Sequence, residues 1–169
     1  MATITFKGEP LETCGSLPEV GTIAPNFSLT GADLVDVGLE AFAGKAKVLN
    51  IVPSLDTGIC AMSAKRFHAE IAGLNHAVLL NISADLPFAA KRFCDSEHLE
   101  QVIPLSCFRH PDFGTLYGMT MTGSPLKGLL GRAVLVLDQS NRVVYSQLVP
   151  EIAQEPDYQA VMDALKPLI

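Results

Sequence analysis

The residues best suited to chemistry in this 169-residue chain are its four cysteines, at positions 14, 60, 94 and 107. No C-x-x-C occurs among them, and four is too sparse for a disulfide-stapled secreted scaffold. In a reducing compartment, cysteines that matter are more often catalytic or redox-active than structural. Cys60 has the most suggestive setting. It follows the apolar run Val48–Val52 and the breaking segment Pro53-Ser-Leu-Asp-Thr-Gly58, and it opens an amphipathic stretch. A sulfur at a helix start meets unpaired backbone N–H groups and the positive end of the helix dipole, a setting that favours the nucleophilic thiolate. The plain alternative is a small apolar residue packed beneath the helix. Thr57, three residues earlier, can bring its hydroxyl beside the sulfur. Pro53, lacking an N–H, can shield the loop from water. Either residue alone reads as ordinary turn and cap chemistry, but with Cys60 they form Pro53-x-x-x-Thr57-x-x-Cys60.

Other chemistries find little support. His68, His76, His98 and His110 have no metal-ligand spacing. Gly128-Leu-Leu-Gly131 lacks the G-K-[ST] of a phosphate loop, and no G-x-S-x-G provides a nucleophile elbow. The flanks of Cys14 and Cys107 suggest packing.

The elements that must position Cys60 follow from periodicity. Val48–Val52 and Ala77–Ile82 read as strands buried on both faces. Between them Ala64, Phe67, Ile71 and Leu74 repeat at helical spacing, with Lys65, Arg66 and Glu70 on the other face. Asp85 reads as the N-cap of a second helix, with Pro87 in its first turn and its end near Phe93. A right-handed crossover makes the two strands parallel. Ala133–Leu137 and Val143–Val149, joined by Asp138–Asn141, form an antiparallel hairpin. A last helix from near Pro156 buries Tyr158, Val161, Met162, Leu165 and Leu168. Ahead of these, Thr3–Phe6 and Leu11–Thr13 read as a β-hairpin turned by Gly8-Glu-Pro10, and a short strand is expected around Phe27–Leu29. The pattern is α/β, a thioredoxin-like plan with a mixed central sheet flanked by helices and an added N-terminal β-hairpin. Residues 1–169 are expected to form one domain.

With 49% apolar and 18% charged residues the composition is that of an ordinary globular domain. The formal charge of -6, without a compensating basic cluster, argues against nucleic acid as a partner. The longest stretches free of charge, Ile71–Ala84 and Phe113–Leu126, are 14 residues, shorter than the roughly 20 a membrane helix needs. Lys7 and Glu9 interrupt any signal-peptide apolar region, so a cytoplasmic location is expected.

Pro53-Ser-Leu-Asp-Thr-Gly-Ile-Cys60 resembles the active-site loop of the peroxiredoxins, and in particular their thiol peroxidase subfamily of atypical two-cysteine enzymes. Further segments extend the resemblance over nearly the whole chain: Phe42–Lys45, Lys47–Ile51, Ile82–Ala89, Arg92-Phe-Cys94, Gly123–Leu129, Arg132-Ala-Val134 and Glu155–Tyr158. The resemblance implies that Cys60 attacks a hydroperoxide and becomes a sulfenic acid, that Thr57 positions thiolate and peroxide, and that Arg132 stabilises the charge on the breaking O–O bond. It further implies that Cys94 resolves the sulfenic acid as an intramolecular disulfide, that thioredoxin reduces it, and that the protein is a homodimer needing no cofactor. Its substrates would be hydrogen peroxide and alkyl or lipid hydroperoxides. A disulfide requires Cα atoms within about 7 Å, so the segments around Cys60 and Cys94 are expected to unwind locally to react. The loop Met119–Leu126, with two methionines, is a candidate border for an apolar substrate groove. A redox relay and a thioredoxin-like binding module without catalysis are the alternatives.

Overall fold

The computed structural model describes all residues, 1–169. It opens with an antiparallel hairpin of β1 (Thr3–Phe6) and β2 (Glu9–Glu12). Lys7 and Gly8 make the turn, both at positive φ (53° and 81°), the mirror-image geometry that matches strand twist. The turn thus precedes the Gly8-Glu-Pro10 position expected from sequence, and Pro10 lies within β2 opposite Thr5.

A seven-stranded mixed sheet forms the centre of the molecule. In chain order its strands are β3 (Leu29–Gly31), β4 (Asp36–Val37), β5 (Ala46–Ile51), β6 (Ala77–Ser83), β7 (Val102–Ser106), β8 (Ala133–Leu137) and β9 (Val143–Leu148), and their spatial order is β4-β3-β7-β6-β5-β8-β9. β5, β6 and β7 are parallel, β8 runs antiparallel beside β5, and β9 pairs antiparallel with β8 at the edge. The helices are α1 (Gly58–Ile71), α2 (Pro87–Ser96), the short α3 (Asp112–Leu116) and α4 (Tyr158–Leu165).

Because β5, β6 and β8 are buried throughout, each supplies a core on both faces, which explains their continuous apolar runs. Ala46 and Val48 pack on one face with Phe67 of α1 and Val161 of α4. Leu49 and Ile51 pack on the other with Phe27, Phe113 and Tyr117. Asp157 caps α4 by accepting from the Ala160 N–H at 3.0 Å. A smaller cluster of Ile4, Leu11, Met121 and Ile152 fixes the N-terminal hairpin to the body. Met119 and Met121 are fully buried, so the 119–126 loop offers no methionine to a substrate groove.

Candidate active site

β5 delivers the chain to Pro53, which is buried, and the loop that follows runs directly into α1. The helix starts at Gly58, two residues before the Cys60 expected to open it, so Cys60 lies inside its first turn rather than at its edge. Thr57 is the N-cap residue in extended conformation. Its hydroxyl is spent on the loop, donating to the Ser54 carbonyl at 3.1 Å, and its own carbonyl accepts from Ala61 N–H at 2.9 Å. No hydrogen bond joins Thr57 to the Cys60 sulfur. Cys60 is a free thiol with no surface exposure.

Beneath Cys60 lies a polar network inside the core. The Ser63 hydroxyl donates to the Cys60 carbonyl at 3.0 Å, and Asn50 Nδ2 donates to Ser63 Oγ at 3.3 Å and to Asn81 Oδ1 at 2.8 Å. Parallel register sets Asn50 directly beside Asn81. Asn50 Oδ1 and Asn81 Nδ2 stay unpartnered, a cost of about 1–3 kcal/mol for each buried group. The first turn of α1 is therefore pinned to the sheet by side chains as well as by its own helical bonds.

Arg132 immediately precedes β8. Ala133 pairs with Ile51, which brings Arg132 to the carboxyl end of β5, where the Pro53–Thr57 loop emerges. The side chain is 1% exposed. Nε donates to the Ile152 carbonyl at 2.9 Å, while Nη1 is buried without a partner. A desolvated guanidinium with a free donor is suited to receive an anionic oxygen.

Cys94 lies near the end of α2 and is nearly buried. Burial, reinforced by the neighbouring Asp95 charge, pushes its thiol up to about 11, so at neutral pH it rests uncharged. Cys107 is likewise pushed up to about 11, chiefly by burial. A cavity of about 430 Å³ separates α1 from α2, with Thr57, Gly58 and Ala61 on one wall and Ala89, Arg92 and Phe93 on the other. Neither cysteine lines this cleft, but each is next in sequence to a wall residue, Cys60 before Ala61 and Cys94 after Phe93.

Asp85 departs from its expected role. The N-cap of α2 is Leu86, with no side-chain cap, and the Asp85 carboxylate turns instead to the Cys60 loop, accepting from Ser54 Oγ at 2.7 Å and from Leu55 N–H at 2.8 Å. Sequence reading missed this, because the partners are about 30 residues away and an Asp two positions before a proline carries the signature of a cap. No group of three or more His, Cys, Asp or Glu side chains is placed to hold a metal ion.

Residues 19–162 match the Redoxin family model. Over 165 residues, 98% of this chain and 99% of the relative, the sequence is 49% identical to a thiol peroxidase of Mycobacterium bovis. The chain belongs to the peroxiredoxins, in their thiol peroxidase branch. Solved structures agree with this placement. A peroxiredoxin-like protein from Aquifex aeolicus superposes with a TM-score of 0.94 at 38% identity, over 100% of this chain and 98% of that one. The thiol peroxidase from Chromobacterium violaceum gives 0.91 at 25% identity, over 98% and 95%. The fold of this thiol peroxidase is thus the thioredoxin-like redoxin fold, with the N-terminal hairpin as its added element. The chemistry of such an enzyme is the reduction of a peroxide by thiols, and α1 and α2, the helices that wall the cleft, carry one free thiol each.

Proposed function

We propose that this thiol peroxidase reduces hydrogen peroxide and organic hydroperoxides, alkyl and lipid ones included, through Cys60 and Cys94. The Cys60 thiolate attacks the terminal peroxide oxygen, the O–O bond breaks, and the sulfur becomes a sulfenic acid while an alcohol or water leaves. Cys94 gives up its proton, its thiolate displaces hydroxide from that sulfenic sulfur to form a Cys60–Cys94 disulfide, and the hydroxide takes up a proton to leave as water. Thioredoxin returns both thiols by exchange. In this reading Arg132 stabilises the charge developing on the departing oxygen, the Thr57 hydroxyl turns from Ser54 to thiolate and peroxide, and Pro53 keeps water from the loop.

The observation that carries the proposal is that α1 and α2, the two helices walling one cleft, carry one free thiol each. The unpartnered Arg132 Nη1 supports the assignment of an oxyanion site. The high thiol pKa of Cys94 requires local opening during the cycle, because Cys94 must reach water to ionise before it meets Cys60. The protein is further proposed to be a homodimer, since Leu34, Leu86, Phe88 and Phe108 line one surface hollow and are all exposed, Phe88 and Phe108 by 67% and 68%.

One equivalent of cumene hydroperoxide added to the reduced protein tests the chemistry. Loss of two hydrogens per chain, with a linked Cys60–Cys94 peptide by mass spectrometry, is the expected result. Thiols persisting at both positions overturn the assignment, and oxygen addition that stalls on Cys60 removes Cys94 from the resolving role. Turnover supported by thioredoxin and its reductase, and not by glutaredoxin, checks the reductant.

A further inference from the structure

The two ends of α2 are held in unequal ways. At the Cys94 end, Glu97 pairs with Lys65 of α1 at 2.7 Å, both side chains well exposed (38% and 47%), and an exposed ion pair of this kind contributes little. At the other end stands Asp85. Its Oδ1 accepts from Ser54 Oγ at 2.7 Å, and its Oδ2 accepts from Leu55 N–H and from Ser83 Oγ, both at 2.8 Å. Its backbone adds two more links, the N–H donating to Ser83 Oγ at 3.3 Å and the carbonyl accepting from Ser106 Oγ. One residue, through its carboxylate and its backbone, thus joins the ends of β6 and β7 to the loop leading into Cys60. The connection continues: Ser54 Oγ accepts from Asp56 N–H, and the Ser54 carbonyl accepts from both the N–H and hydroxyl of Thr57. Leu55, clamped by its N–H, is 3% exposed and belongs to the same core as Ala90 and Cys94 of α2.

We propose that Asp85 is a positioning residue that ties the Cys60 loop to the fixed end of α2 and so sets the balance between the closed arrangement that meets peroxide and the opened one that forms the disulfide. The proposal rests on the reading of Cys60 and Cys94 as the redox pair. With the Asp85 end anchored by hydrogen bonds to its carboxylate, and the Cys94 end held by apolar packing of Cys94 and Leu99 and by one exposed ion pair to α1, opening begins at Cys94 and stops short of the loop. Removing the anchor frees Ser54 and Leu55. The loop then spends less time in the arrangement that presents Cys60, and Cys60 and Cys94 meet more readily. The two chemical steps change in opposite directions, which general loss of structure does not produce. Less sulfenic acid then survives to meet a second peroxide, the reaction in which sulfenic acid and hydroperoxide give sulfinic acid and alcohol.

The test compares wild type, Asp85→Asn and Ser54→Ala by rapid-mixing kinetics with cumene hydroperoxide, following Cys60 oxidation and disulfide formation separately, and by intact mass for sulfinic acid at fixed excess peroxide. Asp85→Asn is expected to slow Cys60 oxidation by about tenfold while speeding disulfide formation and lowering the sulfinic fraction. Ser54→Ala, which removes one of the bonds to Asp85 together with the Asp56 N–H bond and leaves the carboxylate, repeats both changes more weakly and carries the test if Asp85→Asn fails to fold. Both steps slowing together, or both staying at the wild-type rate, overturns the proposal. A wild-type protein that forms no Cys60–Cys94 disulfide refutes the catalytic reading itself, whereas a wild type that cycles and variants that do not separate the two steps refute only the role of Asp85.

Discussion

At the scale of single residues the site carries a visible conflict between stability and function. Arg132 is buried, has no carboxylate within ion-pair distance, and leaves one guanidinium nitrogen unpaired. Burying such a group without compensation costs free energy, so its retention needs a reason other than stability. Arg132→Met fills a similar volume without the charge. It is expected to raise stability by roughly 1–3 kcal/mol in urea unfolding while lowering the rate of Cys60 oxidation by about a hundredfold, the effect typical of removing one donor from a developing oxyanion. A variant that loses stability along with rate would show that the arginine holds the fold. Arg132→Lys keeps the charge and loses the planar fork, so it should recover only part of the rate.

At the scale of elements, the α2 segment combines a buried nucleophile with a weakly fastened end. Burial holds the Cys94 thiol at about 11 against an ordinary value of about 9. Well below pH 9 the thiol is mostly neutral in closed and opened forms alike, a small thiolate fraction being present only in the opened one, and the closed form keeps nearly its full advantage. Between pH 9 and 11 the opened thiol ionises while the buried one does not, so stability is lost as pH rises through that window. Wild type should therefore lose stability relative to Cys94→Ala over this range in denaturant titrations, and parallel curves would contradict the burial argument. How legible these elements were in the sequence depended on where their determinants lie. β5, α1, β6, β8 and α4 declared themselves through periodicity, because each is buried along a regular face. β7 and α3 did not, since Pro104 interrupts the one and the other spans a single turn around Phe113. The candidate site divides similarly. Pro53, Thr57 and Cys60 are neighbours in sequence and form a motif, whereas Asp85 meets Ser54 and Arg132 meets Ile152 only through the sheet.

At the scale of the whole molecule, the exposed apolar hollow and the N-terminal hairpin each connect the site to something larger. If the hollow is the dimer face, Phe88→Glu should yield monomers in light scattering, and an unchanged mass would place the interface elsewhere. The hairpin, which looks like an ornament in the sequence, reaches Arg132 through one residue. Ile152 N–H donates to the Thr5 carbonyl at 2.9 Å, and the Ile152 carbonyl receives Arg132 Nε. Next to it Glu151 accepts from the Thr5 hydroxyl at 2.6 Å and from the N–H groups of Ala153, Lys7 and Gly8. These bonds, led by the one from Thr5, hold the Glu151 carboxyl at about 2 against an ordinary value of about 4.5. Because the folded value is depressed, the stabilisation is present above pH 4.5 and lost as the pH falls towards 2. Glu151→Gln should therefore be less stable than wild type at neutral pH, and the gap should close as both are titrated from pH 4.5 to 2. Loss of the latch also loosens the carbonyl that aims Arg132, so the same variant should oxidise Cys60 more slowly at pH 7 while its main core remains folded. A constant stability gap down to pH 2, or an unaltered oxidation rate, would separate the hairpin from the site.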